Sequence, residues 1–548
     1  MTEPDSVQEE PMSTVSASVD NNMVDMSMPT LLCISDLEGC LKESSTKVNQ
    51  SQVLCKKETF DAIDALMAAN NNLQVAFLGD YFDVGDMIRE SVNGIVGLRE
   101  KYGERVHIIM GNRDLNKMRV GVEAIEENLQ TSVFFIDKQV TITDKTYLAK
   151  TKFLLEKTYG AKNLLENIGN NKDEYNGLNV LISIFNKNPN NVQMSEEDNS
   201  FIINCRKLFS FAELIKIISV GATNVLVSHG GTYNVETFNR QNISKYNPAS
   251  YFDDMETIRA GLQFPSSPNM RNSIDCYNQI LKSITKTIFD GGSFEIIGDG
   301  LFESIKTNSE LYNNYLLIQA LGLKPNPPSK FLSPIESCSL SPGCQKIIKP
   351  DPNFLNFLSD KKNGIKCIAH GHVPFCTSVP LIRKEADIFI LSCDTSNGGR
   401  PNIITPPDNI TQPDIITPIT LENVPLGYIQ ENGLGIASIT AAGLSRQNTL
   451  GISMDGTNKD FYKNMIRHFN FTDGKVPFVE YNENGVGTRV NYPDGHLDMT
   501  QTGMYEPTSF IDSAAPVAKG GTRMNRKHNH RKTKRRTRRK HYCHKCSM

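Results

Sequence analysis

A mixed α/β (α+β) fold, with β-sheets flanked by helices and interrupted by large helical insertions, is predicted by three features of the sequence. Six short apolar runs of strand length are spread over residues 30–394. Between the first of them lie segments whose apolar positions recur at helical spacing. Five of the six runs also finish on, or just before, a residue type that binds metal, so the strand ends carry a shared chemistry.

Taken in order, residues 1–29 are polar, Ser/Asp/Met-rich and aperiodic, and are expected to be disordered. "TLLCISD" (30–36) reads as the first strand, "KKETFDAIDALMAANN" (56–71) as a helix and "LQVAFLGD" (73–80) as the second strand. "MIRESVNGIVGLREKYG" (87–103) is helical in pattern and "RVHIIMGN" (105–112) strand-like, which together imply βαβ crossovers. Residues 117–222 form an insertion whose helix-like segments include "TYLAKTKFLLEKTYG" and "FAELIKIIS". "TNVLVSHGG" (223–231) returns to the core, and a second insertion, 240–364, is richer in Asn, Ser and Pro. "IKCIAHGH" (365–372) and "ADIFILSCD" (386–394) close a core spanning 30–400. Residues 401–420, where "PNIITP" is echoed by "PDIITP", read as an extended surface loop. In 421–515, "GLGIASIT" and "TLGISMD" look like the end of the core sheet, followed by a polar, turn-rich extension; 516–548 is a disordered basic tail.

The 548 residues are 39% hydrophobic and 22% charged, ample for a buried core. No apolar run approaches the ~18–20 residues that span a bilayer, and the N-terminus lacks a basic start with an apolar signal core. An intracellular protein without membrane attachment is therefore expected. Twelve cysteines scattered without close pairing suit reduced thiols. Only Cys543 and Cys546, in "HYCHKC", form a tight pair, and it lacks the second half that a zinc site would need. The net charge of −3 hides an asymmetry: residues 519–548 carry 13 Lys+Arg and no acid, leaving 45 basic against 61 acidic side chains in the body.

The metal-binding residue types at the strand ends are Asp36 with Glu38, Asp80, Asn112, His229, and His370 with His372. In open α/β sheets the side chains beyond the carboxyl ends of parallel strands share one rim, so these scattered positions can make one site. Of six histidines in residues 1–518, three stand at such ends. Carboxylate, amide and imidazole ligands without thiolates suit Mn²⁺, Fe or Zn²⁺, and are compatible with Mg²⁺. Two such ions about 3.5–4 Å apart can bind a phosphoryl oxygen, generate a nucleophilic hydroxide and neutralise developing charge.

The ordered set "SDLEG" (35–39), "GDYFDVGD" (79–86), "GNRD" (111–114), "SHGG" (228–231), "HGHVP" (370–374) and "SCDTSNGG" (392–399) resembles the calcineurin-like metallophosphoesterases, and within them the serine/threonine protein phosphatase branch. The resemblance implies a β-sandwich flanked by helices. It also implies two divalent metal ions and hydrolysis of phosphate monoesters by metal-bound hydroxide, with a phosphorylated protein or nucleotide as substrate. It makes Asp36 a ligand of the first metal, Asp80 the bridge, and Asn112 and His229 ligands of the second. For the last ligand two registers stand: "GHVP" selects His372, whereas a His-x-His reading gives that role to His370 and moves His372 to the first metal.

Three departures bear on chemistry. Glu38 replaces a usual His and adds negative charge to the ligand set, and Val84 replaces a usual phosphate-binding Arg. Arg113 stands where the family carries the His that protonates the leaving group. A guanidinium stays charged and is no ordinary general acid, but it can pair with Asp83 and contact a phosphate. Asp114 is the alternative proton source, through water. Arg259 and Arg271 are candidates, by position, for a further phosphate-binding cation.

"NRKHNHRKTKRRTRRKH" (525–541) reads as a polycation for nucleic acid or another polyanion, bound with little sequence selectivity. Similar Gly-Gly and Arg/Lys-rich tails are familiar on proteins of large DNA viruses. Two rival readings are a nucleotide or dinucleotide polyphosphate hydrolase, and a catalytically silent binding or packaging protein that uses this tail.

Overall fold

The computed structural model describes residues 23–37, 55–115 except 84, 117, 161–185 except 162, 194–231, 364–372, 380–394, 425–440, 443–446 and most of 468–498, with short pieces between 132 and 155, 274 and 289, and 347 and 359. Glu38, Val84, Arg259, Arg271, the 401–420 loop, "TLGISMD" and the cysteine pair of the tail lie outside the described residues. Residues 508–548 also lie outside them.

The chain opens with β1 (Thr30–Ile34), α1 (Lys57–Ala69), β2 (Leu73–Phe77), α2 (Ile88–Tyr102) and β3 (Val106–Ile108). β1 pairs parallel with β2, and β2 parallel with β3, as the βαβ pattern predicts. Each helix buries one stripe: Phe60, Ile63 and Met67 on α1, and Ile88, Val92, Ile95 and Val96 on α2. Sealing side chains of this size contributes about 1.5–3 kcal/mol each. Arg99 and Lys101 sit in the last turn of α2, where the helix dipole favours cations.

Next come the hairpin β4 (Ser132–Phe135) and β5 (Lys138–Thr141), then α3 (Leu164–Ile168), α4 (Glu174–Phe185) and α5 (Glu196–Phe211). Ser195 caps α5 by accepting the Asp198 N–H at 3.0 Å, with three acids in the first turn. "FAELIKIIS" (211–219), expected as helix, instead leaves α5 at Phe211 and runs into β6 (Ile215–Val220). That strand pairs antiparallel with β7 (Thr223–Ser228), and Gly221 turns between them at φ +60°. The β-branched run Ile215, Ile217, Ile218 and Val220 gains a ladder there that no helix could give it.

The remaining elements are β8 (Ile347–Ile348), α6 (Pro352–Ser359), β9 (Ile365–His370), β10 (Leu381–Glu385), β11 (Ile388–Ser392), β12 (Leu426–Gln430), β13 (Gly433–Thr440), β14 (Gly443–Arg446), β15 (Phe469–Asn470), β16 (Phe478–Tyr481), β17 (Val486–Tyr492) and β18 (Gly495–Asp498). They complete two mixed sheets. Among the described residues one runs β14-β13-β12-β1-β2-β3 with β15 attached to β13, the other β18-β17-β16-β10-β11-β9-β7-β6 with β8 attached to β17. Part of the extension after residue 440 therefore belongs to the sheets. So does the end of the segment expected to be disordered through residue 29: Val24 is buried and its N–H donates to Leu444 O at 2.8 Å.

The two sheets share an apolar layer built from Leu31, Cys33 and Ala76 on one side and Val227, Ala369 and Leu391 on the other. A parallel bridge, Ile109 to Glu213, ties the β3 edge to the chain entering β6. Cys33, Cys205, Cys367 and Cys393 are free and buried; Cys55 departs from the expectation of reduced thiols and is disulfide-bonded. No helix among the described residues is long and apolar enough to cross a membrane.

Candidate metal centre

β1, β2 and β3 of one sheet, and β7 and β9 of the other, all end toward one cluster of polar side chains. The ligand atoms of Asp80, His229 and His372 lie within 4.8 Å of one another. Asp80 follows β2 and His229 follows β7, both sealed from solvent; His372, two residues past β9, is less buried. The His229 and His372 rings meet edge to face with centroids 5.1 Å apart. Asn112 bridges them, its Oδ1 3.1 Å from His229 Nε2 and 3.1 Å from His372 Nδ1. Asp36 joins through its Oδ2, which accepts the His372 backbone N–H at 3.0 Å and the Ser35 hydroxyl.

The backbone is bent to make this happen. Asp36, Asp80 and His372 have φ of +49°, +55° and +77°, half of the non-glycine residues with positive φ among those described. Left-handed backbone at such residues costs about 1 kcal/mol or more each, and three of them fall at this one cluster. Close packing beneath requires two glycines. At Gly79, φ +99°, a Cβ would meet the Gly111 backbone and His229 Nδ1 at 2.7 Å, and at Gly371 it would collide with Ser35 and Asp36.

Electrostatics follow from the burial. His229 Nδ1 lies 2.6 Å from Leu78 O, which fixes the proton there and turns Nε2 toward Asp80, 3.3 Å away, and Asn112. Burial opposes a charged imidazole, yet the Asp80 and Asp36 carboxylates outweigh it and push His229 up to about 10. Burial resists ionisation of Asp80 as well, but His229 and Arg113 hold it below the usual carboxylate range. Asp36, with burial dominant and Asp80 adding to it, rises to about 6. His372 is pushed down to about 3 by loss of hydration and by the neighbouring His229 charge.

His370 is drawn elsewhere. Its Nε2 lies 2.7 Å from Ser392 Oγ and its Nδ1 2.9 Å from Gly371 O, so both nitrogens already have protein partners and burial pushes its pKa down to about 3. Of the two registers, the geometry brings in His372 and leaves His370 behind it as a support.

Asp114, expected as a proton source, is also turned inward and completely buried. Its Oδ1 accepts the N–H of Tyr81 (2.7 Å) and Phe82 (3.1 Å), its Oδ2 those of Asp80 and Gly111 (both 2.9 Å). Burial and the Asp80 charge push it up to about 7 against the Gly111, Tyr81 and Phe82 amides. With every acceptor position facing an N–H, the carboxylate holds the two motif loops together and offers water no path.

Arg113 donates its backbone N–H to Asp80 Oδ1 at 2.9 Å, and its guanidinium Nη1 lies 3.4 Å from Asp83 Oδ2. Sequence reading did not single out Lys117, whose Nζ donates to Asp83 Oδ1 at 3.2 Å from a completely buried position. Its spacing four residues after Arg113, in a segment whose residues 112–115 are helical, was the available signal. Tyr81 was missed as well; its buried hydroxyl lies 2.8 Å from both Phe77 O and Ile109 O and ties the ends of β2 and β3.

Neither a protein-family model nor a curated protein matches this chain. Among solved structures it is similar to a cold-active protein tyrosine phosphatase at 12% identity and a TM-score of 0.32, the alignment covering 75% of this chain and 77% of that one. A point mutant of a cold-active protein tyrosine phosphatase and the cold-active enzyme of a psychrophilic Shewanella species each align at 12% identity and a TM-score of 0.27, covering 75% of this chain and 78% of theirs.

Proposed function

We propose that the chain is a metal-dependent phosphoesterase of the calcineurin-like type, acting on phosphate monoesters and related to the protein phosphatase branch. The observation that carries this reading is the meeting of Asp80, His229 and His372 within 4.8 Å, with Asn112 and Asp36 bonded to the same histidine. Buried carboxylates, an amide oxygen and an imidazole whose tautomer is fixed by a carbonyl form the donor set of a divalent site. Asp36, Asp80, Asn112, His229 and His372 would hold two divalent ions, Mn²⁺, Fe, Zn²⁺ or Mg²⁺, with Glu38 joining from the sequence motif. Ions bound there supply Lewis acidity and acidify a coordinated water.

The rest falls to the protein. Arg113, a fifth exposed, binds the phosphoryl oxygens while Asp83 fixes its guanidinium. With an arginine in the place of an acid and Asp114 committed to backbone amides, the site favours leaving groups that depart without a proton. That preference also admits phosphoanhydrides, so a nucleotide or dinucleotide polyphosphate is the second substrate class, separable by product analysis. Residues 519–548 are proposed to hold nucleic acid or another polyanion.

Metal analysis of the purified chain, coupled to phosphatase assays of wild type and Asp80→Asn, tests the reading. Stoichiometric divalent metal and a loss of about 100-fold or more in the variant are expected. Full activity in Asp80→Asn would overturn it; metal binding and tail-dependent polyanion binding without turnover would favour the silent binding protein.

A further inference from the structure

Asp83 is held from both sides. One carboxylate oxygen meets the Arg113 guanidinium at 3.4 Å and the other meets the Lys117 ammonium at 3.2 Å. The Asp83 and Lys117 side chains are 1% and 0% exposed, whereas that of Arg113 is 20% exposed, so of the three groups only Arg113 reaches solvent. Two cations share one anion, so the charges of Asp83, Arg113 and Lys117 sum to +1, and Arg113 Nε also lies 4.0 Å from Asp80 Oδ2.

We infer that Lys117 is a positioning residue for a phosphate dianion: by occupying one oxygen of Asp83, it keeps Asp83 from drawing the Arg113 guanidinium into a two-bond pair and leaves that cation directed at substrate. The inference rests on the reading of Arg113 as the phosphoryl-binding cation. A carboxylate with both oxygens open takes an arginine by its planar fork, in which both charges are satisfied and the guanidinium loses its reach. An ammonium on the far oxygen prevents this, and it keeps the positive charge that a phosphate dianion needs. The ammonium itself touches no substrate.

The test is calorimetric titration of the full chain in Mn²⁺-containing buffer with inorganic phosphate, together with KM and kcat for an aryl phosphate. Lys117→Met should weaken phosphate binding by about tenfold or more, with KM affected more than kcat. Asp83→Asn combined with Lys117→Met removes the competing carboxylate along with the ammonium and returns the summed charge of the three positions to +1, so its phosphate affinity should recover at least about threefold over Lys117→Met, staying below wild type because the guanidinium has lost its carboxylate anchor. A lysine that only filled space would give no such recovery. Should Lys117→Met fail to fold because it strands a buried carboxylate, the charge-neutral double variant decides alone. Retained binding supports the inference, and a loss as deep as that of Arg113→Met overturns it. Wild-type affinity in Lys117→Met overturns it too, while leaving the phosphoesterase reading intact. A wild-type chain that binds no phosphate in the presence of metal sinks both.

Discussion

At the scale of single residues, the site is an arrangement of opposing charges in which each group is usable because of its neighbour. His229 presents Nε2 because Leu78 O holds its other nitrogen, and Asn112 sits between two imidazoles because three strands end around it. On the proposed phosphoesterase reading, the residue with the largest chemical consequence is Arg113, which carries charge but is no ordinary proton donor. Because general acid catalysis typically contributes ~10²–10⁴-fold, its absence should steepen the dependence of rate on leaving-group acidity. Aryl phosphates are therefore expected to turn over at least about 100-fold faster than alkyl phosphates in kcat/KM; equal values with chemistry limiting would contradict the assignment. Asp36, Asp80, Asn112 and His229 were legible in the sequence as polar residues ending apolar runs, whereas His370 and His372, two positions apart, carried the same signal. The structure separates them: His370 is engaged by Ser392 Oγ at 2.7 Å and Gly371 O at 2.9 Å, while His372 lies with Asp80 and His229.

At the scale of elements, the strands were legible because burial on both faces leaves continuous apolar runs, and the helices α1 and α2 because burial on one face leaves a stripe. "FAELIKIIS" misled because a short apolar run is ambiguous between the two; its pairing with β7 decided it. β3 carries a further consequence. His107 is 5% exposed, with Nε2 2.9 Å from Gln74 Oε1, and burial, aided by Lys216 and Arg99, lowers its pKa to about 3. The unfolded chain binds this proton near 6.5 and the folded chain does not. Stability from His107 is therefore complete above 6.5 and is lost as pH falls toward 3. Denaturant melts of His107→Gln should show a pH slope flatter by up to about 1.4 kcal/mol per unit in that window. At the turn after β2, Gly79→Ala is expected to cost about 1–3 kcal/mol, measured the same way, because φ is +99° and His229 Nδ1 occupies the space.

At the scale of the whole molecule, an acidic body is joined to a tail with 13 basic residues among the last 30. Deleting 519–548 should abolish binding to nucleic acid while leaving hydrolysis within about twofold, and the intact chain's affinity should fall steeply and linearly on a log–log plot against salt. Retained nucleic-acid binding in the deletion would move that function to the body. Residue types and their order along the chain sufficed to name β1, β2, β3, β7, β9, β11 and β13, the crossover helices and most of the polar groups at the rim, because burial and periodicity are local and leave their mark on neighbouring positions. They could not say that two sheets would meet so that β1, β2 and β3 end beside β7 and β9, that Asp114 would turn inward onto four amides, or that Lys117 would reach Asp83. Those facts depend on which surfaces pack together across hundreds of residues, and a side chain's partner is fixed by that packing and not by its place in the chain.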